Sequence, residues 1–154
     1  GQNSHTTKVV GTIGYIAPDL AQTGKASTSS DVFAYGVLLL EVGCGRRPVV
    51  HHPQRGHVTL VDWVIECLEM GRILDAADPK LNSVYVVEEM ELVLGLGLLC
   101  TRPKPEARLT IRQVTRYLNG DELFPVVDRL SSVNSPQVDE IILQEISTDT
   151  ITNS

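Results

Sequence analysis

Thr28-Ser29-Ser30-Asp31-Val32-Phe33-Ala34-Tyr35-Gly36-Val37-Leu38-Leu39-Leu40-Glu41-Val42 decides the fold class. Thr28 followed three residues later by Asp31 has the form of a capping box, so a helix is expected to start here. From Val32 to Val42 the chain then runs with almost no polar interruption. A helix that is apolar on all sides belongs in the centre of a core, with neighbours all round it. Gly43-Cys44-Gly45 stops it.

Outward from that helix the same signals repeat. Upstream, Pro18 is tolerated in a first turn and opens a brief helical turn that Gly24 ends. Val9 to Ile16 is a short segment broken by Gly11 and Gly14, and Gly1 to Lys8 is a polar loop. Downstream, Arg46 to His57 holds Pro48, Pro53, Gly56 and paired charges, and reads as an exposed loop. Thr59 with Asp62 gives a second capping box, opening an amphipathic helix through Met70 that Gly71 closes. Ile73 to Leu81 is a turn-rich connector around Asp78-Pro79.

Val86 to Thr101 is the next expected helix, acidic early (Glu88, Glu89, Glu91) as suits the macrodipole, and apolar later. Gly95 and Gly97 inside it each cost about 1 kcal/mol relative to alanine, so packing has to offset them. Pro103 and Pro105 mark a loop, and Thr110 with Gln113 caps a last helix ending at Gly120. The pattern is all-α over residues 1–120. From Asp121 to Ser154 apolar residues thin out and Ser, Thr, Asp and Asn accumulate, which reads as a largely disordered tail with one amphipathic turn at Ile141 to Ile146.

Composition narrows the function classes. A chain of 154 residues has room for one modest core. Its net charge of −6 and lack of a basic stripe argue against nucleic-acid binding. Cys44, Cys67 and Cys100 lie in apolar stretches without CxxC spacing, and read as buried reduced thiols of a cytosolic compartment. His51, His52 and His57 with Cys44 lack the usual ligand spacing, so no metal site is expected. The longest apolar run, Leu92 to Cys100, is too short for a bilayer span, which needs about 20 residues. No signal peptide is recognisable, and the opening on Gly1, a few residues ahead of a motif, suggests a fragment or processed product.

Four motifs in order carry a resemblance. Gly11-Thr12-Ile13-Gly14-Tyr15-Ile16-Ala17-Pro18-Asp19 resembles the end of a protein-kinase activation segment, usually G-T-x-G-Y-x-A-P-E. Asp31-Val32-Phe33-Ala34-Tyr35-Gly36 looks like the kinase D-V-x-x-x-G helix start. Gly45-Arg46-Arg47-Pro48 and Leu96-Gly97-Leu98-Leu99-Cys100 follow in the order and spacing of plant receptor-like kinases. Pro105-Glu106-Ala107-Arg108 with Arg112-Gln113-Val114 is similar to that family's last block. The wording is nearest to receptor-like Ser/Thr kinases with an extracellular legume-type lectin domain.

The resemblance implies the lower part of a kinase C-lobe, from activation-segment end through about four helices, in a parent that phosphorylates protein Ser/Thr with ATP and Mg²⁺. It implies that the parent sits on the cytoplasmic side of the plasma membrane, anchored by an upstream span. The sequence holds no G-x-G-x-x-G, V-A-I-K, H-R-D or D-F-G, so no catalytic residue and no ATP site is expected in it. What remains is a substrate-side platform whose partners are the protein substrate and the upstream half of the kinase domain. A non-catalytic module that binds a kinase or its substrate is the alternative.

By resemblance, Thr12 hydrogen-bonds the catalytic base and lysine, while Gly14 and Tyr15 shape the pocket for the residue after the phosphoacceptor; an ordinary loop threonine is the plainer reading of Thr12. Ser4, Thr6 and Thr7 match the region where activation loops are phosphorylated. Asp19 replaces the family's glutamate and pairs with Arg108, and its shorter side chain predicts a strained or water-bridged contact. Leu109 stands where proline is common, which is expected to loosen that loop. Asp31 caps its helix and, in the family, also holds the catalytic-loop backbone as a partly buried carboxylate. Gly36 belongs to the same motif.

Overall fold

The computed structural model of the chain describes residues 14–125. Helix α1 is Pro18–Thr23, with Gly24 left-handed behind it at φ 68°. Helix α2, Thr28–Cys44, is the long central element. Its capping box lies one residue earlier than Thr28 and Asp31 suggested. Ser27 accepts from the Ser30 amide at 3.1 Å, and the Ser30 hydroxyl accepts from the Ser27 amide at 2.8 Å. Two serines satisfy the same pair of free amides as the Ser/Thr and Glu pattern does, which leaves Asp31 uninvolved.

The segment expected to be loop carries a hairpin. Strand β1, Val49–His52, pairs antiparallel with β2, Gly56–Thr59, with His51 opposite His57. Exposure alternates along both strands, and the His51 and His57 rings meet edge-on at 5.7 Å. Prolines at its ends, Pro48 and Pro53, hid the alternation, since both sit just outside the paired residues. The Leu60 amide donates to the Pro48 carbonyl at 2.7 Å and closes the base of the hairpin.

Helix α3, Leu60–Glu69, starts on Thr59, whose hydroxyl accepts from the Asp62 amide at 3.1 Å. Arg55 grips Glu66 with both guanidinium nitrogens, at 2.5 and 2.8 Å, tying hairpin to helix. Two 3-10 turns, Ile73–Ala76 and Pro79–Leu81, form the connector. Helix α4 is Val87–Cys100, a further 3-10 turn covers Pro105–Ala107, and α5 is Ile111–Asn119, with the Thr110 and Gln113 capping box in place. The described residues are thus mostly helical with one small hairpin.

The core gathers around α2 and α4. Leu39, Leu40 and Cys44 meet Leu94, Leu96, Leu98 and Cys100, with Leu60, Val64 and Leu68 of α3 and Val114 and Tyr117 of α5 closing it. Gly36 and Gly97 make the closest approach. A Cβ on Gly36 would lie 2.5 Å from the Cys100 Cβ and 3.0 Å from the Gly97 carbonyl. A Cβ on Gly97 would lie 2.5 Å from Leu40 Cδ2. Glycines in a helix interior are unfavourable alone, and here the two backbones use the missing side chains to touch.

Helix α2 is not buried all round. Leu38 is 47% exposed and Val42 69%, on the same face as Asp31, which is also exposed. Neighbouring elements among the described residues cover the other faces and leave this stripe open. Cys44 and Cys100 are buried and Cys67 half-buried, all three as free thiols. None of the described helices is long and apolar enough to cross a membrane.

Candidate functional site

Gly14 and Tyr15 enter ahead of α1 and sit on α2 and the hairpin base. Tyr15 packs with Leu20 and Val61 around a small cluster of Ala17, Phe33 and Val37. Gly14 lies hard against Pro48, whose side chain occupies the space any Cβ would need. That contact joins two of the sequence motifs in space: the Gly-Tyr turn and the Gly-Arg-Arg-Pro loop that follows α2. Thr12, Ser4, Thr6 and Thr7 lie outside the described residues.

Tyr15 finds its polar partner on α2. Its hydroxyl donates to the Glu41 carboxylate, and this bond, together with burial and the negative charge, pushes the phenol up to about 12. The other face of that carboxylate is less well served, because Glu41 Oε1 is buried without a hydrogen-bond partner among the described residues. An acceptor left in that state costs about 1–3 kcal/mol, which is unusual to keep without a use. Sequence reasoning passed over Glu41, although it is the lone charge between Asp31 and Arg46 in an otherwise apolar helix.

A second polar centre ties α1 down. Arg108 Nη2 donates to Asp19 Oδ1 at 2.6 Å and to the Pro103 carbonyl at 3.1 Å. Its Nη1 reaches the Ser29 carbonyl at 3.2 Å and hydroxyl at 3.3 Å, and its Nε the Arg102 carbonyl at 2.7 Å. The guanidinium also lies over the Phe33 ring, 5.0 Å from its centroid. The shorter aspartate therefore makes a direct contact, not a strained or water-bridged one, because α1 brings its backbone close enough. The hydrogen bond from Arg108 holds the Asp19 carboxyl below the usual carboxylate range.

Leu109 does not loosen its loop, since its side chain is 2% exposed and packs in the main core. Asp31, expected to be a partly buried cap, is exposed in the first turn of α2 with no side-chain partner among the described residues. Gly36 serves the α2–α4 crossing, away from Tyr15. The structure thus gathers Gly14 and Tyr15 at one place, Asp19 and Arg108 at a second, and leaves Asp31 and Gly36 apart from both. Among the described residues no three His, Cys, Asp or Glu side chains converge on a point that would suit a metal ion.

Comparison with known proteins fits this geometry. The protein kinase domain model matches residues 1–118. The L-type lectin-domain containing receptor kinase SIT2 of Oryza sativa subsp. japonica is 52% identical over 125 residues, which is 81% of this chain and 19% of that protein. The L-type lectin-domain containing receptor kinase IV.3 of Arabidopsis thaliana is 54% identical over 126 residues, again 81% of this chain and 19% of that protein. The chain therefore spans about a fifth of the length of these curated relatives. Among solved structures, the pseudokinase domain of BIR2, an immune regulator of the RLK/Pelle family, matches with a TM-score of 0.60 at 31% identity, over 70% of this chain and 32% of that one. The chain belongs to the protein kinase family, and the relatives it resembles at about half identity are L-type lectin-domain receptor kinases.

Proposed function

We propose that this chain is the substrate-side platform of a membrane receptor-like Ser/Thr protein kinase, and that residues outside it hold ATP and Mg²⁺. Phosphoryl transfer needs a lysine on the phosphates, a metal-binding acid, a Gly-rich lid and a base near the hydroxyl. None of those motifs occurs in the sequence, whereas the segment expected to receive substrate does. The observation that carries the reading is the seating of Gly14 and Tyr15 on Pro48, Ala17 and Glu41. A rigidly braced turn suits the positioning of a peptide next to a catalytic loop, since misplacement of a reacting group by about 1 Å is enough to cost two orders of magnitude in rate.

In this reading Gly14 and Tyr15 line the groove for the residue after the phosphoacceptor, and Thr12 contacts the catalytic base. Ser4, Thr6 and Thr7 are the candidate phosphorylation sites, with a phosphate there ordering the loop through an arginine. Asp19 and Arg108 hold the platform to the helices beneath it. The upstream half of the kinase domain is the first partner and the protein substrate the second. The cytoplasmic side of the plasma membrane is where such a parent would work.

The test is a pair of measurements. Calorimetric titration of the 154-residue chain with Mg-ATP should give no saturable heat up to millimolar nucleotide. In the receptor kinase that carries this chain, Gly14→Val should lower kcat/KM for a peptide by about 100-fold while the KM for ATP stays unchanged. A saturable nucleotide site in the chain, or a Gly14→Val enzyme with full peptide activity, would overturn the proposal.

A further inference from the structure

The β1–β2 hairpin carries His51, His52 and His57, and its strands sort them by face. His51 and His57 share the exposed face with Val49 and Thr59, whereas His52 lies on the other face with Val50 and Val58. His52 is also occupied, because its Nδ1 accepts from the Gln54 and Arg55 amides at 3.2 and 3.3 Å. The register makes a pair of the other two. The bond from the Leu60 amide to the Pro48 carbonyl marks residues 48 and 60 as a hydrogen-bonded pair. Antiparallel strands alternate such pairs with non-hydrogen-bonded ones, and His51 opposite His57 falls in the second kind. There the Cβ atoms come closest, about 4.5–5.5 Å apart, and the two rings already meet with centroids at 5.7 Å. The short loop from Pro53 to Arg55, with Gly56 left-handed at φ 74° behind it, fixes that register.

Two imidazoles held this way can chelate. Imidazole nitrogen binds borderline divalent ions at about 2.0–2.1 Å, so two such ligands of one ion lie about 3 Å apart. Both rings are exposed and turn about their own torsions, which covers that distance without moving either strand. The groove beside His57 is lined by Asp62, Glu66 and Arg55, two carboxylates against one guanidinium, so its charge favours a cation. A closed structural zinc centre takes four side-chain ligands, which the spacing of these histidines with buried Cys44 does not supply; two ligands leave open positions instead. We propose that His51 and His57 form a surface site for one borderline divalent transition ion, such as Zn²⁺, Ni²⁺ or Cu²⁺, with water in the remaining positions. Mg²⁺ and Ca²⁺ prefer oxygen ligands and do not suit it. The site stands apart from the platform function but acts on the same structure. An ion across β1 and β2 ties the hairpin together, and Pro48 at its base is the residue on which Gly14 rests.

The test titrates the full 154-residue chain with Zn²⁺ at neutral pH by calorimetry, with Ni²⁺ and Mg²⁺ beside it. Zn²⁺ and Ni²⁺ should each give a saturable heat, and Mg²⁺ none. His51→Ala and His57→Ala should each weaken Zn²⁺ binding by at least about tenfold, since a single imidazole loses the effective concentration of the pair. His52→Asn should leave the affinity unchanged, because the asparagine side-chain oxygen can accept from the two loop amides in place of Nδ1. Amide hydrogen exchange across Val49 to Thr59 should slow on adding Zn²⁺ in the parent chain and in His52→Asn, and not in the alanine variants. Circular dichroism of each variant confirms that the helices persist. Absence of Zn²⁺ binding, or binding that survives either alanine substitution, overturns the proposal and leaves the platform reading standing.

Discussion

Arg108 and Asp19, 89 residues apart in sequence, meet at 2.6 Å, with the arginine side chain wholly buried and the aspartate 22% exposed. The guanidinium spends its remaining donors on three backbone carbonyls and a serine hydroxyl, so one side chain joins α1, the start of α2 and the loop before α5. Removing it leaves several acceptors and one carboxylate unserved. Arg108→Met is expected to cost about 3–5 kcal/mol, the range for breaking a buried pair from one side. Urea unfolding of the variant against the parent chain measures it. Arg108→Lys should cost nearly as much, since an ammonium cannot match the planar fork.

The same pair sets an acid limit. Arg108 lowers the folded-state pKa of Asp19 below its ordinary value. A group whose folded pKa is depressed contributes stability that is present above the unfolded value, near 3.9, and lost as pH falls through the folded one. Thermal midpoints measured from pH 6 down to pH 2 should fall at the acid end. The Asp19→Asn chain should start lower at pH 6 and show a shallower fall below pH 4. Parallel curves for the two proteins would mean that Asp19 does not carry the effect.

The α2–α4 crossing predicts an order between two small substitutions. At Gly97 a new methyl meets Cδ2 and Cγ of the fully buried Leu40 and the Gly36 carbonyl at 3.2 Å, which opposes the roughly 1 kcal/mol of helix propensity that alanine brings. At Gly36 the obstacles are the Cys100 Cβ and the Gly97 carbonyl, neither of which moves without its backbone. Overpacking costs about 1–3 kcal/mol, so both substitutions should destabilise, Gly36→Ala near the top of that range and Gly97→Ala by less, because a side chain yields before a backbone does. Chemical denaturation of both variants decides it, and the reverse order would contradict the packing described.

How much of this was legible beforehand differs by residue. The helices around Pro18, Thr59, Val86 and Thr110 read correctly because their caps and breakers are local, and local chemistry is what a sequence displays. The hairpin did not, because its strands are four residues long and prolines stand just outside them. The Ser27 and Ser30 box was misplaced by one residue, since Thr28 and Asp31 offered the same spacing with a more familiar acid. The Asp19 and Arg108 pair came from family resemblance alone; nothing local links residues so distant. Glu41 was missed although its signal, a lone acid in an apolar helix, was visible. What the sequence hid was that Tyr15 would reach it, a fact of three-dimensional packing.

Thiol chemistry separates the three cysteines. Burial pushes Cys44 and Cys100 up to about 12, and raises Cys67, which is half-buried, to a lesser degree. The thiolate is the nucleophile, and a thiol near 12 is ionised to only about 10⁻⁵ at pH 7. Iodoacetamide under native conditions should therefore label Cys67 first, with Cys44 and Cys100 reacting only after denaturant is added. Mass spectrometry of tryptic peptides reads the order directly. Rapid native labelling of Cys100 would show that the α2–α4 interface opens far more easily than its packing suggests.

The last expectation concerns the open stripe of α2. Leu38 and Val42, one turn apart, expose 47% and 69% of their surface, with the exposed Asp31 further along the same face. Their exposed apolar area is roughly 200 Å², which at about 25 cal/mol per Å² leaves on the order of 5 kcal/mol of burial unrealised. Domain stability is itself only about 5–15 kcal/mol, so a surface that recovers part of this amount by contact has a real driving force. The stripe is smaller than the roughly 300–600 Å² of a typical monomer's largest apolar patch, so the association it favours is weak. The chain alone is therefore expected to self-associate weakly, as its concentration is raised, and to unfold at a modest temperature. Replacing the pair as Leu38→Glu with Val42→Lys removes the apolar stripe and sets an acid four residues before a base, which adds about 0.3–0.5 kcal/mol to a helix. Sedimentation velocity should show the double variant shifted toward monomer, with a thermal midpoint within a few degrees of the parent chain. A parent chain that sediments as a single monomer at every concentration would show that this face needs no cover.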